Sequence, residues 1–315
     1  MNSSLTINKE IKMNIVYNDY FLGINFLNKS FFKIKYNIFN ISEFCKIKNK
    51  TKLDLIFELI FLIPMILIRF ICNKEGKTLF FDVESIRGIF FSLLKLRTKD
   101  NIIWLWNPIL DRPYLRIFIS IFKFIGFSII TFDRKDAEKY KIKFYNQIIN
   151  SDVLPAKKKG KSNKLFFIGQ DKGRYNFLKR VDILSCRNNN IFIFSEIDSK
   201  YSITKTIEYE QYIELLNESM FVIDLVQKNQ SGLTIRVLEA LFLNKKIITN
   251  NHDIINYAFY SKDRILIIDD DFHEKDLIEF ISDDNKDIKI VNPDLLCKYE
   301  LSVFLDKIEK GLINR

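Results

Sequence analysis

Cysteine is scarce and scattered. Cys45, Cys72, Cys186 and Cys297 form no C-x-x-C pair, which removes the common zinc and dithiol-redox frameworks and leaves the expectation of reduced thiols in the cytoplasm. Histidine is scarcer still: His252 and His273 are the only two, so histidine acid–base chemistry has few candidates. Five prolines and nine glycines exclude collagen-like and low-complexity architectures, and no fixed-period repeat suggests a solenoid. Residues 59–68 (LIFLIPMILI) are uncharged but bracketed by Glu58 and Arg69. That is half of the ~20 residues a membrane span requires, so a buried or interfacial helix is expected. The opening MNSSLTINKEIK is polar and has no apolar core of a secretory leader.

What is present is the material of a globular protein. The 315 residues are 48% apolar and 28% charged, enough for about two domains. Charge is unequally shared. Residues 1–150 carry 24 Lys and Arg against 13 Asp and Glu, net +11, whereas residues 151–315 carry 25 against 26, net −1. The basic half suits an anionic partner such as a membrane leaflet or a lipid diphosphate. Nucleic acid is the weaker option, since no nucleic-acid motif accompanies the charge. Residues 59–68 and the aromatic, cationic stretch 114–132 (YLRIFISIFKFIGFSIITF) are the candidates for peripheral contact with the inner face of the cytoplasmic membrane.

Apolar periodicity alternates between strand and helix. In the first half, strands are expected at 78–81, 101–106 and 127–132, with helices at 86–96 and 114–125. Residues 151–163 (SDVLPAKKKGKSN) have linker composition, giving a basic first domain at 1–150, the linker, and a second domain at 164–315. There the alternation restarts, with strands at 164–168, 191–194, 220–226, 246–249 and 264–268. Helices are expected at 174–186, 208–217, 235–243 and 299–310. The order is that of an α/β fold with a doubly wound parallel sheet, in which ligands bind at the carboxyl ends of the strands.

Two strand-to-helix loops in this half carry ligand-binding chemistry. In Gly169-Gln170-Asp171-Lys172-Gly173-Arg174, two glycines permit close backbone approach. Lys172 and Arg174 add cations beside the amides of a helix start. In Gln230-Ser231-Gly232-Leu233-Thr234, Gly232 allows a turn and Thr234 is placed to cap the next helix. Arg236 and Glu239 then share one helix face, either as an internal ion pair or as ligands, Arg236 to phosphate and Glu239 to ribose hydroxyls.

The stretch G-x-T-x-R-x-x-E-A-L followed by K-K-I-I-T-N resembles the donor half of GT-B-fold glycosyltransferases from bacterial surface-polysaccharide clusters. F-I-G-Q-D-K-G-R, F-D-R-K-D-A-E-K-Y (residues 132–140), W-L-W-N-P (104–108) and Y-A-F-Y (257–260) are similar to a lipopolysaccharide- and capsule-biosynthesis subgroup. The likeness runs from about residue 78 to residue 315 and leaves the first 75 residues unplaced. It implies two Rossmann-like domains facing a central cleft, with a sugar nucleotide bound by Gly169, Lys172, Gly173, Arg174, Gly232, Leu233, Thr234, Arg236 and Glu239. It also implies a glycan or lipid-linked acceptor, and catalysis with neither metal nor other cofactor.

If the reaction inverts configuration, a carboxylate should act as base. Asp133, after the 127–132 strand, is the first choice and Asp82, after the 78–81 strand, the second; either is otherwise a helix cap or surface charge. His252 lies near the expected ligand edge, and His273 is expected in solvent. Asp269-Asp270-Asp271 invites a metal-binding reading but is expected to be a solvated turn. The alternative to an enzyme is a non-catalytic nucleotide- or lipid-binding scaffold derived from such a transferase.

Overall fold

The computed structural model describes residues 13–17, 35–44, 59–68, 70–81, 85–109, 113–156, 163–195, 199–228, 230–282 and 288–314. The chain divides into two compact units, one of residues 1–131, 136–145 and 309–315, the other of 132–135 and 146–308.

The first unit holds a six-stranded, all-parallel sheet in the order β2-β1-β3-β4-β5-β6. Its strands are β1 (Asn14–Tyr17), β2 (Asn37–Asn40), β3 (Lys74–Phe81), β4 (Thr98–Leu105), β5 (Ser128–Thr131) and β6 (Lys143–Phe144). Parallel strands buried on both faces need continuous apolar runs, and Leu79, Phe80, Phe81 and Ile102 through Leu105 supply them. Helix α1 (Leu62–Ile68) precedes β3, α2 (Ile86–Leu96) joins β3 to β4, and α3 (Pro113–Phe124) joins β4 to β5. Ser85 caps α2, its hydroxyl accepting from the Gly88 amide at 3.1 Å, and α2 ends at Arg97 in the left-handed region. Leu62, Met65 and Ile68 of α1 join Phe118, Ile119 and Phe122 of α3 in one core. Helix α4 (Arg134–Tyr140) follows β5.

The second unit repeats the plan with β7 (Leu165–Gln170), β8 (Asn190–Phe194), β9 (Ser202–Ile203), β10 (Phe221–Asp224), β11 (Lys246–Thr249) and β12 (Ile265–Ile267). The order is β12-β11-β10-β7-β8-β9, all parallel. The chain winds one way from β7 through β8 to β9, then returns to lay β10 against the other side of β7, so the order reverses between β7 and β10. Helices α5 (Tyr175–Ser185), α6 (Tyr209–Glu218), α7 (Ile235–Phe242), α8 (Glu274–Ser282), α9 (Pro293–Cys297) and α10 (Leu301–Glu309) complete the layers.

The strands expected from periodicity are present, α2 spans 86–96 and β11 spans 246–249 as read. Elements absent from the sequence reading are short or lie where it found nothing: β1, β2, β6, β9, α4, α8 and α9. The expected linker at 151–163 differs in part. Residues 151–153 form a 3₁₀ turn capped by Asn150, Ile149 bridges to Glu300, and the Ser151 amide donates to the Glu300 carboxylate at 3.3 Å. Polar residues that look like a linker are thus pinned to the second unit, and residues 157–162 lie outside the described set. Among the described residues no helix is long and apolar enough to cross a membrane.

Candidate functional site

Open parallel sheets place their ligand crevice where the strand order reverses, at the carboxyl ends of the two strands concerned. In the second unit these strands are β7 and β10, paired through Phe221 with Leu165 and Val222 with Phe166. The loops leaving them are the two singled out by sequence, so the junctions near residues 170 and 234 lie side by side.

Arg236 joins them. It lies in the first turn of α7, and its guanidinium Nη2 donates to the Ile168 carbonyl at 2.5 Å. Its Nη1 stands 3.5 Å from the Asp224 carboxylate at the end of β10, and the guanidinium lies over the Phe167 ring at 4.9 Å. Arg174 lies over the same ring at 5.9 Å. Burial first, then the charge of Arg236, lowers the Arg174 pKa. Two cations held this close favour an anion between or beside them. Arg236 is 15% exposed at its side chain, and its Nε lacks a hydrogen-bond partner among the described residues, as does Asp224 Oδ2.

The first loop is shaped for close approach. Arg174 turns back so that its amide donates to the Asp171 carbonyl at 2.8 Å, and Asp171 Oδ1 accepts from the Tyr175 amide at 3.0 Å, covering one free donor of the α5 start. Lys172 and Gly173 both adopt positive φ, 43° and 82°. Around Gly173 a Cβ would meet open space, whereas at Gly169 it would stand 3.2 Å from the Phe167 ring and 3.4 Å from Arg236 Nη2. Gly169 therefore lets the Arg236 guanidinium reach the strand end.

The second loop differs from expectation. Thr234 caps α7 as read, accepting from the Val237 amide at 3.4 Å, and its hydroxyl donates to Asp224 at 2.7 Å. The Gly232 amide, expected to face a ligand, donates to Asp133 at 2.8 Å. The Ser231 amide and hydroxyl do the same at 2.6 and 2.8 Å. A Cβ on Gly232 would stand 2.7 Å from the Phe132 carbonyl oxygen and 2.6 Å from its ring, so glycine serves chain-to-chain packing here. Leu233 is fully buried, which leaves its side chain to the core.

Burial gives two further residues read from sequence a structural role. Asp133, the expected base, is 1% exposed with both oxygens engaged by the Ser231–Gly232 turn. It anchors the loop, with three donors on its two oxygens and almost no surface open to an acceptor. Glu239, expected on ribose, is fully buried and accepts from the Tyr209 hydroxyl at 3.0 Å and the Tyr212 hydroxyl at 2.7 Å. Burial raises its pKa, the tyrosine hydroxyls opposing that rise. Asp82 lies outside the described residues. His252 and Asp269 meet in solvent at 2.9 Å, Asp270 and Asp271 are exposed, and so is His273; the acidic triplet is a surface turn.

Asn250, which closes the K-K-I-I-T-N stretch, and Asn251 follow β11 and were given no role from the sequence. Asn250 clamps Val226 through both backbone groups, at 2.8 and 3.2 Å, and Asn251 donates to the Ser231 carbonyl at 3.4 Å. A pair of amides just past a strand was the available signal.

No family model and no curated protein matches the chain. Solved structures do. A glycosyltransferase involved in avilamycin A biosynthesis superposes with a TM-score of 0.50 at 10% identity, over 81% of this chain and 87% of its own. A glycosyltransferase from Rickettsia africae gives 0.51 at 12% identity, over 95% and 97%. The N-terminal domain of a trehalose-6-phosphate phosphatase from Candida albicans gives 0.51 at 12%, over 97% and 87%. At such identities the likeness is one of fold, and a fold hosts several activities. The chain has the two-unit α/β architecture, each unit Rossmann-like, of the GT-B-type glycosyltransferases it resembles.

Proposed function

We propose that the chain is a glycosyltransferase whose second unit binds a nucleoside-diphosphate sugar in the crevice between β7 and β10. The observation that carries this reading is the convergence of Arg174 and Arg236 over Phe167, beside the amino ends of α5 and α7. Such an arrangement supplies fixed positive charge where a diphosphate leaving group gains negative charge, which is the electrostatic route to transition-state stabilisation. Lys172, exposed in the same loop, adds a third cation, and Gly173 leaves room for a phosphate to approach the backbone. On this reading the chemistry needs no metal, because side chains and helix ends balance the leaving charge. The basic first unit receives the acceptor, a glycan or lipid-linked sugar, and Asp82 is the sequence candidate for base.

Occupation of Asp133 by the Ser231–Gly232 turn favours one second reading, a non-catalytic scaffold that binds the nucleotide without turning it over. A thermal-shift panel of UDP, GDP, CMP and dTDP, with and without Mg²⁺, tests the shared premise. Stabilisation by a diphosphate beyond its nucleoside, unchanged by Mg²⁺, supports the crevice reading, and no stabilisation by any of them overturns both. Sugar transfer or slow sugar-nucleotide hydrolysis then separates enzyme from scaffold.

A further inference from the structure

Among the described residues, nine of the fourteen exposed large apolar side chains fall in residues 59–71 and α3. They belong to one surface of the first unit, because α1 packs against α3. Helix α1 is apolar around its whole circumference. Leu62, Met65 and Ile68 face the core, while Ile63 (71% exposed), Ile66 and Leu67 (63%) face outward, followed by Phe70 (83%) and Ile71. A helix of that kind belongs in a protein interior or in lipid, and an aqueous surface offers neither.

The outward face of α3 interleaves apolar and cationic groups. Arg116, Ile117, Ser120, Lys123 and Phe124 are its exposed positions, with Phe124 at 68%. Beneath the surface, where strands β4 and β5 begin, a recess of about 300 Å³ is lined by Met65, Ile68, Leu93, Ile125 and Phe127, with Lys99 also on its wall. Exposed aliphatic and aromatic side chains beside cations, over a recess whose lining mixes these apolar groups with Lys99 and Asn101, match the chemistry of the boundary between acyl chains and anionic headgroups. The net charge of +11 on residues 1–150 complements that boundary.

We propose that this surface seats the first unit on an anionic lipid bilayer, with α1 lying in the plane of the interface and Arg116 and Lys123 at headgroup level. The proposal is independent of the sugar-transfer reading. Vesicle flotation of the full chain tests it. Partition onto phosphatidylglycerol–phosphatidylcholine vesicles should exceed that onto phosphatidylcholine alone by roughly tenfold and fall with added salt. The paired change Ile63→Ser and Leu67→Ser, at positions already in solvent, should lower it at least roughly tenfold with unchanged circular dichroism. Ile183→Ser with Ile255→Ser, on the second unit, should leave it unaltered. Absence of wild-type flotation overturns the proposal. So does flotation indifferent to the α1 pair, or a doubled sedimentation mass that this pair abolishes while vesicles bind nothing, which would make the surface a contact between copies.

Discussion

Both units are six-stranded parallel sheets, yet they handle charge in opposite ways. Among the described residues, the first unit buries one charged side chain, Asp136, and leaves a broad apolar surface outside. The second buries Asp133, Asp182, Asp224, Glu239, Lys245, Lys246 and Arg264. Burying charge costs several kcal/mol per ion unless partners are supplied. The second unit supplies them: Thr234 and Arg236 for Asp224 at the end of β10, two tyrosines of α6 for Glu239 within α7, and two loop amides and a hydroxyl for Asp133. The same scaffold therefore serves as a rigid electrostatic frame in one unit and as an apolar surface in the other.

The largest expected effect comes from removing an anchor of that frame. Asp133→Ala would leave the Ser231 amide, the Ser231 hydroxyl and the Gly232 amide without their acceptor. At about 1–3 kcal/mol for each buried unpaired group, the loss should reach roughly 3 kcal/mol or more, measured by urea denaturation. Asp133→Asn keeps one acceptor oxygen and should cost less. Should Asp133→Asn abolish turnover at full stability, the anchoring role would give way to the catalytic one. Next in size is Arg236→Ala, which removes the Ile168 contact and, on the crevice reading, a diphosphate ligand. UDP affinity should fall roughly 10- to 100-fold, from about 1.5–3 kcal/mol of charge-assisted bonding, while uridine affinity changes far less. Equal losses for the two ligands would reduce Arg236 to a strut.

Much of this was legible in the sequence, and the failures have physical causes. Long apolar runs such as FFI before Gly169 and FVID before Leu225 mark buried parallel strands, and the loops that follow them mark the crevice. Arg236 was singled out with Glu239 or a phosphate as its partner, whereas the fold sets it against Asp224 and the Ile168 carbonyl, on elements the helix pattern does not name. The anchoring contact of Asp133 was not legible, because a carboxylate after a strand looks alike whether it meets a substrate or a turn 98 residues away; only the fold brings Ser231 to it. The partners of Glu239 were hidden for the same reason, since the hydroxyls that reach it sit on α6, and nothing in the tyrosine spacing points to a carboxylate. The apolar segment at 59–68 was correctly too short to span a membrane, but its period could not say which of its faces would be left in water.

The remaining tests sharpen the contrast at smaller scale. Asp182 accepts from Lys200, Tyr201 and Asn189, each at 2.7 Å. Burial works against its charge, but these donors prevail and hold its pKa below the ordinary 3.8. A carboxyl with a lowered folded-state pKa adds stability that is present above its unfolded pKa and lost as pH falls through the folded value. Asp182→Asn should therefore cost about 1–2 kcal/mol at neutral pH and flatten the acid limb of the stability profile below about pH 4. An unchanged acid limb would show the network to be neutral. Smallest is Gly173→Ala. The added methyl meets nothing within 4 Å, so only the positive φ of 82° opposes it, at about 1 kcal/mol. In the crevice reading that same open space is where a phosphate approaches the loop, so UDP binding should weaken by more than the stability loss explains. A variant that binds UDP as well as the parent chain would move the diphosphate away from this loop and leave Arg236 alone as its ligand.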